Sequence, residues 1–559
     1  MRANTCRQSK VVMQWFAFFL CLVLGSIGEG LPEMMNRAHI RFQSTIENVD
    51  ILVRSTNCHH CPFQPFFEDV GTDLTEYKPI DMEYTQEIQA VGSSNITLYQ
   101  KFLFKEYGVY TITIGNLTNP MEVVTDRSGH NYYGPLFFMI GLTIVIFGIV
   151  MLIENLRTTC RKKDEPLIQT SKSSRIVSVD VFRGMDLCCM IFANYGAGQY
   201  HRALVHATWD GITFSDFAFP IFVFIQGITL RISITSEFKR NMANGCSPLK
   251  ATWKCTLKCL KRAIILYLLT WLVNCSTDFE SLRYLGVLAY FSVSGLVNSL
   301  VLLYIPVWHS QLGFISRWRA RAEYAEDYQV WHILDPLVPC LCALLHWLIA
   351  MYIPAPGCPV GYTGPGGISD GGRYEGCTGG IYRYIDVQLF GENHIYHEAA
   401  VAYVYEGNYF ECEGVMGLLN AVFMTYLGTL VSWVFLTVQK PSKRVWIYLG
   451  SGLCLLLCGG LLCGFKQFDG YMPINKNKWN TSFICITSGT AFLVFAFIYL
   501  FVDVWGIWSG FPVKAMGMNS ILIYIVHEFV HGYIPFTYHF EKTTHWTEMI
   551  NSYVLGCGW

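Results

Sequence analysis

From about residue 131 onward the chain sorts its residues into long apolar blocks separated by short polar ones. The first strong block is "YYGPLFFMIGLTIVIFGIVMLI". Roughly 20 apolar residues suffice to cross a bilayer as a helix. Read this way, the chain predicts about ten spans, with "FAFPIFVFIQGITLRISI", "AIILYLLTWLV" and "VPCLCALLHWLIAMYI" among them. Ahead of them the pattern is different. "DILVRST", "NITLYQKFLF" and "GVYTITIGNL" alternate or are β-branched, which predicts a small β-rich domain. Further upstream, Arg2, Arg7 and Lys10 precede "WFAFFLCLVLGSIG", the layout of a secretory signal. The expected fold is a polytopic α-helical membrane protein with a small β-rich lumenal N-terminal domain. Its expected segments are a signal peptide (1–30), the β-rich domain (31–130), a first transmembrane helix (131–157), a cytosolic basic linker (158–177), a multi-span domain (178–538) and a lumenal tail (539–559).

Charge sets the orientation. Arg157, Arg161, Lys162 and Lys163 follow the first span, and the positive-inside rule puts them in the cytosol. The stretch "KRNMANGCSPLKATWKCTLKCLKR" then reads as a second cytosolic loop. The sequons at Asn95, Asn116, Asn274 and Asn480 all fall on the other side, as candidate glycosylation sites. Composition agrees with a membrane protein: 52% of the 559 residues are hydrophobic and 14% charged, where a soluble chain carries about a quarter charged. A net charge of −1 gives no reason to expect a nucleic-acid partner. Most cysteines lie inside apolar blocks. Cys58 and Cys61 in "CHHC", and Cys358 and Cys377 in a Gly-rich loop, are the disulfide candidates.

Polar groups within apolar blocks are costly, so they mark candidate chemistry. In "SVDVFRGMD", Asp180 and Arg183 share a helix face. They read either as a structural ion pair or, with Arg175, as a cytosolic mouth for a phosphorylated ligand. Asn194 precedes a predicted helix break at "YGAGQ", and a break of this kind is tolerated where backbone is buried or lines a cavity. His206 and Asp216 flank the start of the next span. An imidazole exchanges a proton near neutral pH, and an amide can donate to an oxyanion. "HEFVH" matches a zincin pattern, but it lies in an apolar block without a third ligand, and "CHHC" has no second pair; no metal is expected.

"SVDVFRG", "ANYGAGQY", "HATWDGITFSDFAFPIFVFIQG", "PGCPVGYTGPGGISDGGRYEGCTGG", "YMPINKNKW" and "GMNSILIYIVHE" occur in this order. Together they resemble the heparan-α-glucosaminide N-acetyltransferases, a family of lysosomal transmembrane acetyltransferases. The likeness runs from about Arg175 to His531, and "CHHCPFQ" is similar too. The resemblance implies acetyl transfer from cytosolic acetyl-CoA to the amine of terminal glucosamine on heparan sulfate in the lysosome lumen, and it also implies a homodimer. It makes His206 the active-site histidine and Asn194 its oxyanion partner. Arg175, Asp180, Arg183, Arg262, Arg283, Asn519 and Ser520 become candidates for holding acetyl-CoA, and Trp209, Asp210 and Asp469 for holding the sugar. Three departures stand out. Tyr290 replaces a family arginine, Cys412 stands where proline is common, and the family usually has one more span and a basic tail. An inactive paralogue, an acyltransferase for another acceptor and a transporter are therefore the alternatives.

Overall fold

The computed structural model describes residues 35–92, 97–115, 117–161, 176–197, 201–274, 278–311, 335–530 and 544–549. Near the N-terminus eight strands form two four-stranded sheets. They are β1 (Arg37–Ser44), β2 (Val49–Ser55), β3 (Gln64–Val70), β4 (Lys78–Asp81), β5 (Gln86–Val91), β6 (Thr97–Phe102), β7 (Val109–Ile114) and β8 (Glu122–Arg127). One sheet has the order β4-β1-β7-β8 and the other β3-β2-β5-β6. The β1–β7 pair is parallel and the others are antiparallel. Alternate residues Ala38, Ile40 and Phe42 of β1 meet Ile51, Ile88 and Ala90 of the other sheet in one apolar core.

The helical part starts with α1 (Tyr133–Arg161) and α2 (Val177–Phe192), which ends in a π turn over Ala193–Ala197. It continues through α3 (Ala218–Ala243), α4 (Pro248–Val273), α5 (Val287–Gln311), α6 (Leu337–Tyr352), α7 (Ile381–Phe390), α8 (Ala400–Val404), α9 (Val415–Thr437), α10 (Pro441–Cys463), α11 (Thr481–Tyr499), α12 (Val513–Met518) and α13 (Ser520–Val530). Among the described residues six helical segments are long and apolar enough to cross a membrane, and α6 and α13 are shorter apolar helices. The chain is thus a multi-pass helical membrane protein. One expected loop is corrected: the basic stretch 239–262 is almost wholly helical, leaving only 244–247 between α3 and α4. Pro248 stands in the first turn of α4, where a missing N–H costs nothing. Lys250, Lys254, Lys258 and Arg262 then follow at helical spacing.

Close helix contacts position the site. A Cβ on Gly227 of α3 would lie 2.0 Å from the Thr425 carbonyl oxygen of α9, and one on Gly428 would lie 2.0 Å from that of Phe224. This reciprocal pair lets the two backbones touch, as small residues do in membrane helix pairs. Arg231 of α3 is paired with Asp335 at 2.8 Å, which offsets the cost of a charge in an apolar region.

Candidate functional site

With α9 against one face, α3 turns another toward a cavity of about 570 Å³. Ser215, Phe219, Phe222, Gln226, Thr229 and Ser233 line it, in steps of four and three residues. That spacing is a single helical stripe. From Phe219 to Ser233 it extends about 21 Å at 1.5 Å per residue, much of the roughly 30 Å hydrocarbon thickness. The other walls come from α2, α4, α5 and α13.

Six residues expected to be functional lie in or on this cavity: Asn194, His206, Arg183, Arg262, Asn519 and Ser520. Arg262 also lines a smaller adjoining cavity of about 150 Å³ with Ser233, Glu237 and Lys258. Arg262 is exposed, and it makes no ion pair or hydrogen bond among the described residues. Arg183 lies 3.5 Å from Asp180 and donates to the Gly517 carbonyl at 3.0 Å. A Cβ on Gly517 would strike the Asp180 carbonyl, so this contact between α2 and α12 requires glycine.

Imidazole geometry defines the opposite end. His206 Nδ1 lies 2.7 Å from Asp216 Oδ1, and Asp216 has no exposed surface. Asp216 Oδ2 accepts from the backbone N–H groups of Ala207 and Thr213 and from the Thr213 hydroxyl. A carboxylate saturated by donors can only accept, so Nδ1 carries the proton and Nε2 keeps its lone pair. Lys476 sits 3.1 Å from Nδ1 and 3.7 Å from Asp216 Oδ1. Because the Nδ1 proton is committed to Asp216, the ammonium acts on the carboxylate as a charge. The His206 side chain remains 53% exposed, enough for Nε2 to meet a ligand.

In the wall of the same cavity the predicted helix break holds Asn194. The π turn places the Asn194 amide nitrogen 3.1 Å from His527 Nε2, while His527 Nδ1 donates to the Tyr524 carbonyl. Tyr195 donates its hydroxyl to the His527 carbonyl at 3.2 Å. His527 is therefore a buried support for Asn194 within "HEFVH"; His531 lies outside the described residues.

Several expected site residues lie elsewhere. Arg175, Asn95 and Asn116 fall outside the described residues. Asp180 is buried beneath Gly517 and does not line the cavity. Arg283 is corrected: its guanidinium is held by Glu411 and Glu413, which drive its pKa up against the opposing effect of burial, and it is not in the cavity wall. Trp209 is corrected as a sugar platform, since it is 2% exposed and packs edge-on against Phe410 at 5.2 Å. Asp210 accepts from Asn475 at 3.0 Å and lies 3.8 Å from Lys478, whose pKa burial lowers against the pull of Asp210. Asp469 lies beside His59 and His60, and neither aspartate lines the cavity. Tyr290 is fully buried and donates to the Gly414 carbonyl at 2.8 Å. Cys412 is half-buried and also outside the cavity wall.

Cys58 pairs with Cys61, and Cys358 with Cys377. The Asn274 and Asn480 sequons are corrected as glycan sites. Asn274 spends both amide hydrogens on the carbonyls of Arg283 and Leu285. Asn480 is buried, capping α11 through Phe483 N–H and donating to the Pro473 carbonyl. Neither amide marks a membrane side.

Residues the sequence left unassigned complete the site. Asp216 and Lys476 flank His206, and Glu413 and Glu528 add carboxylates to the cavity wall. Gln226 donates to the Phe291 carbonyl at 2.8 Å, while its buried Oε1 has no partner among the described residues.

Fold and site together define a multi-pass membrane protein with a β-rich extramembrane domain and an elongated cavity running from a guanidinium unpaired among the described residues to a carboxylate-held imidazole. No family model matches the chain. Two curated proteins do. It is 29% identical over 550 residues to the heparan-alpha-glucosaminide N-acetyltransferase of Homo sapiens, covering 88% of this chain and 80% of that protein. It is 28% identical over 558 residues to the Mus musculus protein of the same name, covering 90% and 83%. Over most of its length the chain is thus similar to heparan-alpha-glucosaminide N-acetyltransferases.

Proposed function

We propose that this protein acetylates an amine across a membrane, taking the acetyl group from cytosolic acetyl-CoA and delivering it to terminal α-glucosamine of heparan sulfate in the lysosome lumen. The observation that carries this reading is the continuous stripe along α3, with Arg262 beside Ser233 at one end and His206 beside Asp216 at the other. Acetyl-CoA is too charged to cross lipid, and heparan sulfate is too large. A cavity that spans most of the bilayer lets each approach from its own side. The basic face of α4 and the cations after α1 support the Arg262 end as cytosolic, which leaves the β-rich domain lumenal.

The cavity fits an acetyl-CoA donor. Its volume lies within the range of about 300–1,000 Å³ usual for ligand sites. Arg262 and Arg183 are positioned for CoA phosphates, which guanidinium groups bind in a fork. Asn519 and Ser520 supply polar contacts for the amides of the pantetheine arm. Phe219, Phe222 and Phe291 give the arm apolar walls.

At the other end Asp216 keeps the Nδ1 proton in place and stabilises the imidazolium as charge develops. Two routes use the same Nε2. As a base, His206 removes a proton from the glucosamine amine as that amine attacks the thioester carbonyl, and then returns it to the departing thiolate; this is worth about 10²–10⁴-fold in rate. As a nucleophile, His206 Nε2 attacks the carbonyl and the thiolate leaves, giving an acetyl-imidazolium; the amine then attacks that acetyl carbonyl, the imidazole leaves, and the proton lost by the amine passes through Nε2 to the thiolate. Asn194, held by His527, donates to the oxyanion in either route. Glu528, which lines the same cavity, is available to the acceptor ammonium.

Purified protein given acetyl-CoA and glucosamine is expected to form N-acetylglucosamine, and His206→Ala is expected to abolish it. Retained activity in that variant would remove His206 from the reaction. An acetylated protein that glucosamine discharges would select the two-step route. Solute uptake without acetyl-CoA turnover would support a transporter instead.

A further inference from the structure

Three loops converge outside the cavity. The "CHHC" turn after β2 brings His59 and His60, the Gly-rich loop before α7 brings Asp370, and the loop between α10 and α11 brings Asp469. The "CHHC" turn is docked rather than free. His60 O accepts from the Asp370 N–H at 2.9 Å, His59 N–H donates to the Tyr405 hydroxyl at 3.1 Å, and Thr208 donates to Asn57 at 2.8 Å.

The side-chain spacings there are unusual. Asp469 Oδ2 lies 3.5 Å from His59 Nε2, and Asp469 Oδ1 lies 3.9 Å from His60 Nε2. These are too long for hydrogen bonds, which run to about 3.2 Å. They are close to the spacing of two ligands on one metal: bonds of about 2.0 Å at tetrahedral angles set ligand atoms about 3.3 Å apart. One donor atom from each of His59, His60 and Asp469 lies within 4.8 Å of the other two. His60 Nδ1 lies 3.0 Å from Asp370 Oδ1, so its proton is on Nδ1 and Nε2 keeps its lone pair; the His59 and His60 rings stack at 4.0 Å and 24°, so one of them must rotate for both lone pairs to meet a single ion. A carboxylate behind a ligating imidazole is the usual outer support of a metal site. His59 is held in place by stacking on Phe468, with centroids 4.2 Å apart and planes 6° from parallel.

We propose that His59, His60 and Asp469 bind a zinc-type divalent cation, with Asp370 orienting His60 and the fourth position open to water. Two imidazoles and one carboxylate suit zinc among common divalent ions. All three ligands are at least partly exposed, so a cation can enter. The bound ion would clip the β-rich domain to the membrane domain. It would also tether the loop that carries Lys476, since Asp469 and Lys476 belong to the same connection between α10 and α11. This site stands apart from the acetyl-transfer cavity and does not depend on that reading.

The test uses full-length protein in detergent, stripped with a chelator and titrated with zinc chloride alone against a chromophoric competitor. One zinc per chain is expected. Asp469→Asn and His60→Gln should each weaken binding by at least about tenfold, and Asp370→Asn by about 10–100-fold, as loss of an outer carboxylate does. X-ray absorption should show nitrogen and oxygen at about 2.0 Å with imidazole scattering. Failure to bind one zinc per chain would overturn the proposal, as would unchanged affinity in both Asp469→Asn and His60→Gln. Sulfur at about 2.3 Å would also overturn it, because it would move the ion onto reduced Cys58 and Cys61.

Discussion

The two ends of the cavity are built on opposite principles. At the His206 end, protein groups hold the functional atoms: Asp216 holds the imidazole, backbone N–H groups hold Asp216, and His527 holds Asn194. At the Arg262 end the guanidinium has no ion pair or hydrogen bond among the described residues. Held groups define a reaction geometry, and an unsatisfied cation awaits an anion from outside. Arg283 makes the same point in reverse. It is an arginine of the same chemical type, but Glu411 and Glu413 consume its charge, and it has become structure. A charge that the protein has left unanswered is the clearer mark of a ligand site.

The comparison can be broken most severely at the imidazole. Asp216→Asn keeps the shape but allows the amide to present N–H to Nδ1, selecting the wrong tautomer. Activity is expected to fall by about 10²–10⁴-fold with acetyl-CoA binding retained, by analogy with the triad aspartate of serine proteases. Equal activity in wild type and Asp216→Asn, measured by product formation, would show that His206 needs no orientation.

A smaller effect separates the two arginines. Arg262→Gln should raise the KM for acetyl-CoA by about tenfold, since one lost charge-assisted contact is worth roughly 1.5–3 kcal/mol, with kcat little changed. Arg283→Gln should act on stability instead, lowering it by about 3–5 kcal/mol by leaving buried carboxylates uncompensated. Thermal unfolding and steady-state kinetics on both variants distinguish the outcomes, and a KM effect confined to Arg283→Gln would reverse the assignment.

The smallest effect concerns pH. Asp386 on α7 is buried beside the start of α9, and desolvation raises its pKa to about 8 although the Val415 N–H pulls it down. Below about pH 4 both folded and unfolded chains hold this proton, so stability does not change with pH through this group. Between there and about pH 8 the unfolded chain releases it while the folded chain keeps it, and stability falls as pH rises. Asp386→Asn should flatten that part of the stability profile, read as melting temperature against pH. An unchanged slope would mean that the carboxyl is ionised in the fold.

Much of the architecture was legible in local pattern. Apolar runs located the helices, alternation in "DILVRST" and "GVYTITIGNL" located β2 and β7, and the glycines of "YGAGQ" announced the end of α2 beside Asn194. His206 stood out because an imidazole at the mouth of an apolar run demands a reason. What escaped was pairing at a distance. Arg283 meets Glu411 across 128 residues, and Asn194 meets His527 across 333. No periodicity links such positions. Asp216 lies only ten residues from His206, but a turn and a short 3₁₀ segment separate them, so no regular spacing shows that they touch. Trp209 looked like a sugar platform because aromatic residues at a loop serve both purposes; only the packing of Phe410 against it decides. The basic stretch 239–262 looked like a loop because charge hid the helical spacing of its lysines.

The central claim is that one passage joins the two ends through the bilayer. Its most direct measurement uses proteoliposomes of uniform orientation, with acetyl-CoA confined to the Arg262 side and glucosamine to the other. N-acetylglucosamine should appear on the glucosamine side only, and not with His206→Ala. Product formed only when both substrates share one side of the membrane would contradict the account.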